Sequence, residues 1–309
     1  MAKRNPKILY HYCSLSTFLS IINNRSIWLS DIGKSNDSLE LKWIKDRCRY
    51  YTLKAWVDYV KAVDKNGNLE KVDFKEFDHL QDQLDNLYNY ESDKCWVFCL
   101  SEKQDDLGQW RGYADDGFGI SIGFNSSFFK AIMKQGSVEF TDKRSVVFDS
   151  VCYNEKETEK LFYKTCGLSL ITPQMSSKEV LDKLRYAVAA SLLVAPFFKN
   201  EKFAEEKEWR LVLRTSTSEL MAGKTPKTGF AQLFPKNEVQ YDFSVRNNNL
   251  VSHIAFVDNN IKNYITEIWI GPKCKSSVVD VKLFLISAGL IKSFDDDSIR
   301  IYYSQASYR

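Results

Sequence analysis

The order of strand-like and helix-like segments is the feature that most restricts the fold of this chain. Residues 95–101 (CWVFCLS) are nearly all apolar, which predicts a buried central strand. Residues 41–59 repeat apolar side chains at helical spacing, which predicts a long amphipathic helix. Segments of both kinds alternate without the strict strand–helix–strand order of a doubly wound sheet. We therefore predict an α+β fold, in which helices flank a mixed, mostly antiparallel β-sheet that could be split.

The domain organisation is expected to be simple. A length of 309 residues alone would allow about two domains, but the pattern contains no internal repeat and no low-complexity tract. We predict a single α+β domain over residues 1–309, with residues 38–94 as a helical insertion near its N-terminus. Ten Lys and Arg against twelve Asp and Glu make that insertion a solvated helical pair. It could be a layer that covers the sheet or a surface for a protein partner.

Composition and charge exclude several classes of protein. Apolar residues make up 44% of the chain, which excludes a disordered protein. The net charge of +3 is too small to indicate a nucleic-acid-binding face. With three histidines and no CxxC pair, we expect no metal site. The apolar stretches are too short for a secretory signal or a membrane span, so we expect a cytoplasmic protein without membrane contact.

The densest group of charged residues lies at positions 205–210 (EEKEWR). Strand alternation would place Glu206, Glu208 and Arg210 on one face. Two neighbouring carboxylates repel each other, so one pKa should rise unless Arg210 or Lys199 compensates. Such a pair suits a site with one ionised carboxylate and a second carboxylate that acts as a base. The alternative is an exposed, charged strand entry balanced by nearby lysines.

Two further candidates lie earlier in the chain. His11 stands on the first predicted strand, between Tyr10 and Tyr12, where it could be catalytic or a structural edge residue. Trp110 and Tyr113 lie three positions apart on a predicted helix over residues 106–114 and so share a face. They could stack on a planar ring of a ligand or anchor the helix on the core.

Several short motifs are spread along the chain. They are LYHY (9–12), WLS (28–30) with Asn36 and Asp37, FCLS (98–101), WRGYA (110–114) with the strand 119–124, EKEWR (206–210), IGP (270–272), and Tyr308 with Arg309. Together they resemble a bacterial family, the domain of unknown function 2971. The resemblance runs nearly end to end and keeps the order of the family's motifs, but it implies no activity by itself.

A second resemblance is to the ADP-ribosyltransferase fold, although Cys99 stands where that fold usually has the first serine of its central strand. The resemblance implies that Glu208 holds the nicotinamide ribose and stabilises an oxocarbenium-like transition state. It further implies that Glu206 is a general base and that His11 positions the adenosine-side ribose. The residues implied to bind the cofactor are Tyr12, Ser101, Trp110, Tyr113 and Arg210, with Trp110 or Tyr113 stacking on nicotinamide.

The function implied is that of an ADP-ribosyltransferase-like enzyme. It would cleave NAD as its substrate, without a metal, and transfer ADP-ribose to a protein or nucleic-acid acceptor. A bacterial toxin or phage-defence effector would fit such an activity.

Two alternative functions stay open. One is a metal-independent ribonuclease with His11 and Glu208 as acid and base and Arg210 on the phosphate. The other is a non-enzymatic sensor or adaptor that binds a partner through residues 38–94.

Overall fold

The computed structural model describes residues 7–34, 38–89, 93–136, 145–216, 238–246 and 248–308. Asn36, Asp37 and Arg309, which contribute to the motifs above, lie outside these ranges. The strands are β1 (Ile8–Cys13), β2 (Ser26–Asp31), β3 (Asp93–Ser101), β4 (Ile120–Asn125), β5 (Ser145–Ser150), β6 (Glu208–Ser216), β7 (Glu238–Arg246), β8 (Asn249–Val257), β9 (Ile265–Ile270) and β10 (Arg300–Tyr303). The α-helices are α1 (Leu15–Asn24), α2 (Ser38–Lys65), α3 (Phe74–Asn89), α4 (Leu107–Tyr113), α5 (Ser127–Gly136), α6 (Glu155–Thr165), α7 (Ser177–Val194) and α8 (Val278–Ser287).

The ten strands found in the described residues join one open sheet, and β3 is its branch point. One edge of β3 pairs with β6 along its whole length. The other edge is shared: Val97 pairs with Ser30 of β2, and Ser101 pairs with Tyr10 of β1. One arm of the sheet therefore runs β1-β4-β9-β10 and the other runs β2-β8-β7. All pairs are antiparallel except β9–β10, which confirms the predicted α+β fold with a mixed, mostly antiparallel sheet.

The two faces of β3 have different surroundings because successive side chains point to opposite sides of a strand. Trp96, Phe98 and Leu100 are buried in the main hydrophobic core, which also contains Trp209 of β6. This burial confirms the prediction of a central apolar strand. The opposite face carries Val97 and Cys99, which belong to a smaller apolar cluster beside the branch point. That face is where the sheet can present polar side chains.

The insertion forms two long helices, α2 and α3, as the sequence predicts. However, they do not simply cover the sheet. Their buried side chains join those of α6 and α7 in a second hydrophobic cluster, in which Tyr51 of α2 contacts Phe162 of α6. The helical spacing of the insertion correctly indicated an apolar stripe, but only tertiary packing determines which element covers it.

The strand expected over residues 119–124 begins at Ile120. Gly117 has φ +89° and belongs to a turn that follows α4. At Gly119, a Cβ atom would lie 2.1 Å from the carbonyl oxygen of Cys13. The two glycines therefore allow a left-handed turn and a close approach of backbones.

The part of the chain that the structure describes contains neither a candidate membrane span nor a candidate metal site. No helix there is both long and apolar enough to cross a bilayer. Within the same ranges, no group of three or more His, Cys, Asp or Glu side chains is arranged to hold a metal ion.

Candidate active site

The three side chains predicted to be catalytic line one small cavity beside the branch point of the sheet. β1 contributes His11, while Glu208 begins β6 and Glu206 lies two positions before that strand, nearly 200 positions later in the sequence than His11. The cavity has a volume of about 50 Å³, and its lining residues are Tyr10, His11, Tyr12, Cys99, Leu100, Gln109, Tyr113, Glu206 and Glu208.

Glu208 is a buried carboxylate held by two cations. Strand alternation places Arg210 on the same face of β6, and its Nε lies 2.8 Å from Oε1 of Glu208 while its Nη2 lies 2.9 Å from Oε2. The Nζ atom of Lys199 approaches Oε2 at 3.3 Å. Burial by itself would raise the pKa of Glu208, but Arg210 and Lys199 outweigh it and lower the pKa to about 2. Glu208 is therefore ionised at neutral pH.

Glu206 is not on the strand, which corrects the sequence-based expectation of an alternating Glu206–Glu208–Arg210 face. It ends a 3-10 turn (Glu201–Glu206), and Lys207 then adopts a left-handed conformation with φ +44°. The Glu206 side chain nevertheless lines the cavity. Its Oε2 accepts from Nζ of Lys199 at 2.6 Å, and its Oε1 accepts from the hydroxyl of Tyr113 at 3.0 Å.

The two carboxylates have opposite pKa shifts. Burial raises the pKa of Glu206 above its ordinary value, against the lowering effect of Lys199, whereas the pKa of Glu208 is lowered. Adjacent carboxyl groups whose pKa values are pushed apart are typical of sites that divide the roles of anion and base. The pair can therefore supply one permanent negative charge and one group that takes up a proton.

The lowered pKa of Glu208 links stability to pH. A carboxyl group with a depressed pKa in the folded state contributes stability above its unfolded pKa of 4.5, and this contribution is lost as the pH falls towards about 2. Glu206 has a raised pKa, so its contribution to stability has the opposite sign. Glu206 is present both in the wild type and in the Glu208→Gln variant. In urea titrations, we expect the free energy of unfolding of the wild type to fall more steeply than that of Glu208→Gln between pH about 5 and 2. Parallel curves would contradict the assignment of a depressed pKa to Glu208.

His11 is oriented by the strand that it faces. Its Nδ1 lies 2.9 Å from the carbonyl oxygen of Cys99, and its ring stacks on Phe98 with centroids 4.2 Å apart. A carbonyl oxygen only accepts, so Nδ1 must carry the proton of this hydrogen bond. The contact fixes both the tautomer and the tilt of the imidazole.

Four of the five residues predicted to bind a cofactor are held in structural contacts. Ser101 donates from Oγ to the carbonyl oxygen of Glu206 at 2.7 Å, which anchors the turn that carries that glutamate. The hydroxyl of Tyr12 donates to the carbonyl oxygen of Lys103 at 2.9 Å, although its ring still lines the cavity. Arg210 uses Nη1 on the carbonyl oxygen of Pro196 at 2.8 Å and its other nitrogens on Glu208. The fourth residue is Trp110, which is buried.

The two predicted stacking residues, Trp110 and Tyr113, have different surroundings. Trp110 is fully buried, packs edge-on against Tyr12 and donates from Nε1 to Asp105 at 2.7 Å. A stacking role for Trp110 is therefore not supported, because its ring has no free face in the cavity. Tyr113 is 42% exposed and lines the cavity. Helical spacing alone could not distinguish the anchoring ring from the exposed one.

A larger groove adjoins the small cavity at the point where the two arms of the sheet separate. Its volume is about 570 Å³, and His11, Tyr12, Cys99 and Tyr113 line both spaces. Hydroxyl groups of α1, which sequence reasoning missed, form one wall of the groove. The signal for them was a polar stripe opposite the apolar face of the helix. The wall residues on α1 are Ser16, Thr17 and Ser20, and the second arm contributes Trp28, Ser30, Asp31, Ser244 and Val245.

Comparison with known proteins identifies one match. Residues 109–211 match the model of a family described as "Protein of unknown function (DUF2971)". This segment is about a third of the chain; it contains Tyr113, Glu206 and Glu208 but not His11. Searches of curated proteins and of solved structures find no match. The family match confirms the first resemblance over this segment, not nearly end to end, and it names no activity.

Proposed function

We propose that this protein cleaves the bond between nicotinamide and ribose in NAD and transfers ADP-ribose to a macromolecular acceptor. The observation that carries the proposal is the carboxylate pair Glu206 and Glu208, whose pKa values are shifted in opposite directions in a cavity that opens onto a groove of about 570 Å³. A volume of roughly 300–1,000 Å³ is typical of sites for small molecules and cofactors. The groove would hold the rest of the dinucleotide.

Glu208 would act in the first step. When the C–N bond breaks, both of its electrons leave with nicotinamide, which departs neutral, and positive charge develops on the ribose. An anion fixed by Arg210 stabilises this charge without having to reorganise during the reaction. The contact between Lys199 and Oε2 of Glu208, at 3.3 Å, is longer than a strong charge-assisted hydrogen bond. It is the contact that a ribose hydroxyl would most easily replace.

Glu206 would act in the second step. The acceptor attacks the anomeric carbon with a lone pair, a new bond forms, and the proton of the attacking group passes to Glu206. A base works best when its pKa lies nearer the operating pH than that of an ordinary carboxylate, and burial moves the pKa of Glu206 in that direction. His11, with its tautomer fixed by Cys99, would bind a ribose hydroxyl at the entrance to the groove.

A direct test uses NAD labelled in its adenylate group. We expect the purified protein, incubated with the labelled NAD and a cell lysate, to release nicotinamide and to attach label to macromolecules. Glu205→Gln is a matched control because Glu205 is exposed and lies outside the lining of the cavity. Absence of nicotinamide release from the wild type in all lysates and acceptor preparations tried would contradict the proposal.

The ribonuclease alternative is less well supported by the contacts of Arg210. That mechanism needs a guanidinium group that can bind a phosphate. Nε and Nη2 of Arg210 bind Glu208, Nη1 binds the carbonyl oxygen of Pro196, and the side chain is buried. Breaking these contacts would leave a buried carboxylate without its main partner, which is unfavourable.

Tyr113 provides a test of the role of Glu206. A hydrogen bond donated to a carboxylate favours its ionised form, so removing it raises the pKa of that carboxyl group. A base must be deprotonated to act, and we therefore expect transfer activity to rise with pH. In Tyr113→Phe the midpoint of that rise should move to higher pH, as measured from initial rates across the pH range. A midpoint that moves down or stays fixed would contradict the role of Glu206 as the base.

A further inference from the structure

The segment that follows β10, Ser304–Tyr308, is tied to the start of α4 through one carboxylate. Oδ1 of Asp105 accepts from Nε1 of Trp110 at 2.7 Å and from Oγ of Ser304 at 2.6 Å. Oδ2 of Asp105 accepts from the backbone nitrogen of Gln305 at 2.7 Å. Asp105 immediately precedes the N-cap residue of α4, so this carboxylate links the late segment to the buried anchor of the helix.

The same segment also holds the turn that follows α4. The hydroxyl of Tyr308 donates to Oδ1 of Asp116 at 2.6 Å, and Nζ of Lys273 lies 2.8 Å from Oδ2 of the same residue. The Tyr308 ring lies 4.5 Å from the guanidinium carbon of Arg111, which is on α4 itself. Nζ of Lys273 lies 3.8 Å from the centre of that ring. The contacts of Tyr308 therefore reach both the helix and the turn.

The turn has a backbone conformation that needs support. Asp115, Asp116 and Gly117 have φ values of +52°, +53° and +89° in succession. Aspartate tolerates this region better than most residues but rarely adopts it in consecutive positions. A Cβ atom at Gly117 would lie 3.2 Å from Pro272 and 3.3 Å from Tyr308. Tyr308 thus packs directly against the turn.

We propose that Ser304–Tyr308 is a clamp that positions α4 from both ends and thereby holds Tyr113, its last residue, against Glu206. This inference rests on the proposed function, because Glu206 is the base of that reaction. Asp105 and Tyr308 are positioning residues: neither lines the cavity or the groove, and both act through α4. The clamp also gives a role to three residues of the family motifs that the catalytic proposal does not use: Arg111, Pro272 and Tyr308.

The test compares Tyr308→Ala with Tyr186→Ala, a control at a half-exposed tyrosine on α7. Hydrogen exchange of the α4 amides is measured together with kcat, KM and the pH midpoint of ADP-ribose transfer. In Tyr308→Ala we expect α4 amides to exchange about tenfold faster, as in a local opening. We expect kcat to fall about 10- to 100-fold, since small misplacements have effects of that size. The midpoint of the pH dependence of transfer should move to higher pH, as we also expect for Tyr113→Phe.

Two further variants strengthen the test. Tyr308→Phe keeps the ring between the two cations and should restore most of the α4 protection. In a Tyr113→Phe background, Tyr308→Ala should cause little additional loss of kcat, because the contact that the clamp supports is already absent. Additive losses, or an unchanged pH midpoint in Tyr308→Ala, would overturn the proposal.

The exchange measurement requires no NAD, so it separates the clamp from the proposed activity. Faster exchange confined to α4, in a protein that does not cleave NAD, would support the clamp and contradict the proposed function. Unchanged exchange of α4 would overturn the clamp whatever the activity. Faster exchange spread equally over β3 and β6 would also overturn it, since Tyr308 would then contribute only to global stability.

Discussion

Glu208→Gln is expected to reduce the rate of nicotinamide release from NAD by about 10²–10³-fold, the usual effect of removing one preorganised electrostatic group from an active site. The substitution keeps the size of the side chain and removes the negative charge that Arg210 and Lys199 hold in place. Nicotinamide is measured by chromatography under saturating NAD, beside the wild type and Glu205→Gln.

Loss of the Glu208 charge could also weaken the fold, so activity must be compared in folded protein. The melting temperature and the circular dichroism spectrum of each variant provide that comparison. Glu206→Gln offers a second variant that leaves the contact between Glu208 and Arg210 intact. It should impair transfer to the acceptor more than nicotinamide release. Equal release by the wild type and a folded Glu208→Gln would exclude the proposed role of Glu208.

Arg210→Met is expected to lower the free energy of unfolding by about 3–5 kcal/mol, because it leaves a buried carboxylate without its main partner. Arg210 is 2% exposed and donates hydrogen bonds of 2.8–2.9 Å to both carboxylate oxygens of Glu208 and to the carbonyl oxygen of Pro196. Arg185→Met is the matched control. Arg185 also pairs with two acids, Glu76 and Asp182, but near the surface, where such pairs contribute about 0–1 kcal/mol.

Urea unfolding at neutral pH measures both substitutions. The double variant Glu208→Gln/Arg210→Met should recover part of the lost stability. It also removes the carboxylate charge that Arg210→Met leaves buried without a partner. A loss in Arg210→Met no larger than in Arg185→Met would show that the buried pair is not a major source of stability.

The sequence was sufficient for the elements that local patterns determine. The apolar run 95–101 predicted β3, and residues 106–114 predicted α4, which begins after the N-cap residue Asp106. The alternation of Glu208 and Arg210 predicted a shared face, and the structure confirms that contact. Each of these features depends on periodicity or capping within a few residues.

Features that depend on distant contacts could not be predicted in the same way. The branch at β3 requires two strands, β1 and β2, to share one edge, and no local pattern encodes that pairing. The left-handed conformation of Lys207, which moves Glu206 off the strand, is unusual for a lysine. The burial of Trp110 depends on Asp105 and Tyr12. In each case, tertiary packing overrides the local preference.

The branch of the sheet has a mechanical consequence. Because the two arms meet on β3 and not on each other, a change in the twist of that strand would rotate one arm relative to the other without breaking a ladder between β1 and β2. The groove lies in the angle between them, with Val245 on one arm and His11 on the other. A wider or narrower groove would therefore require β3 to twist between Val97, which pairs with β2, and Ser101, which pairs with β1, together with β6 along its other edge.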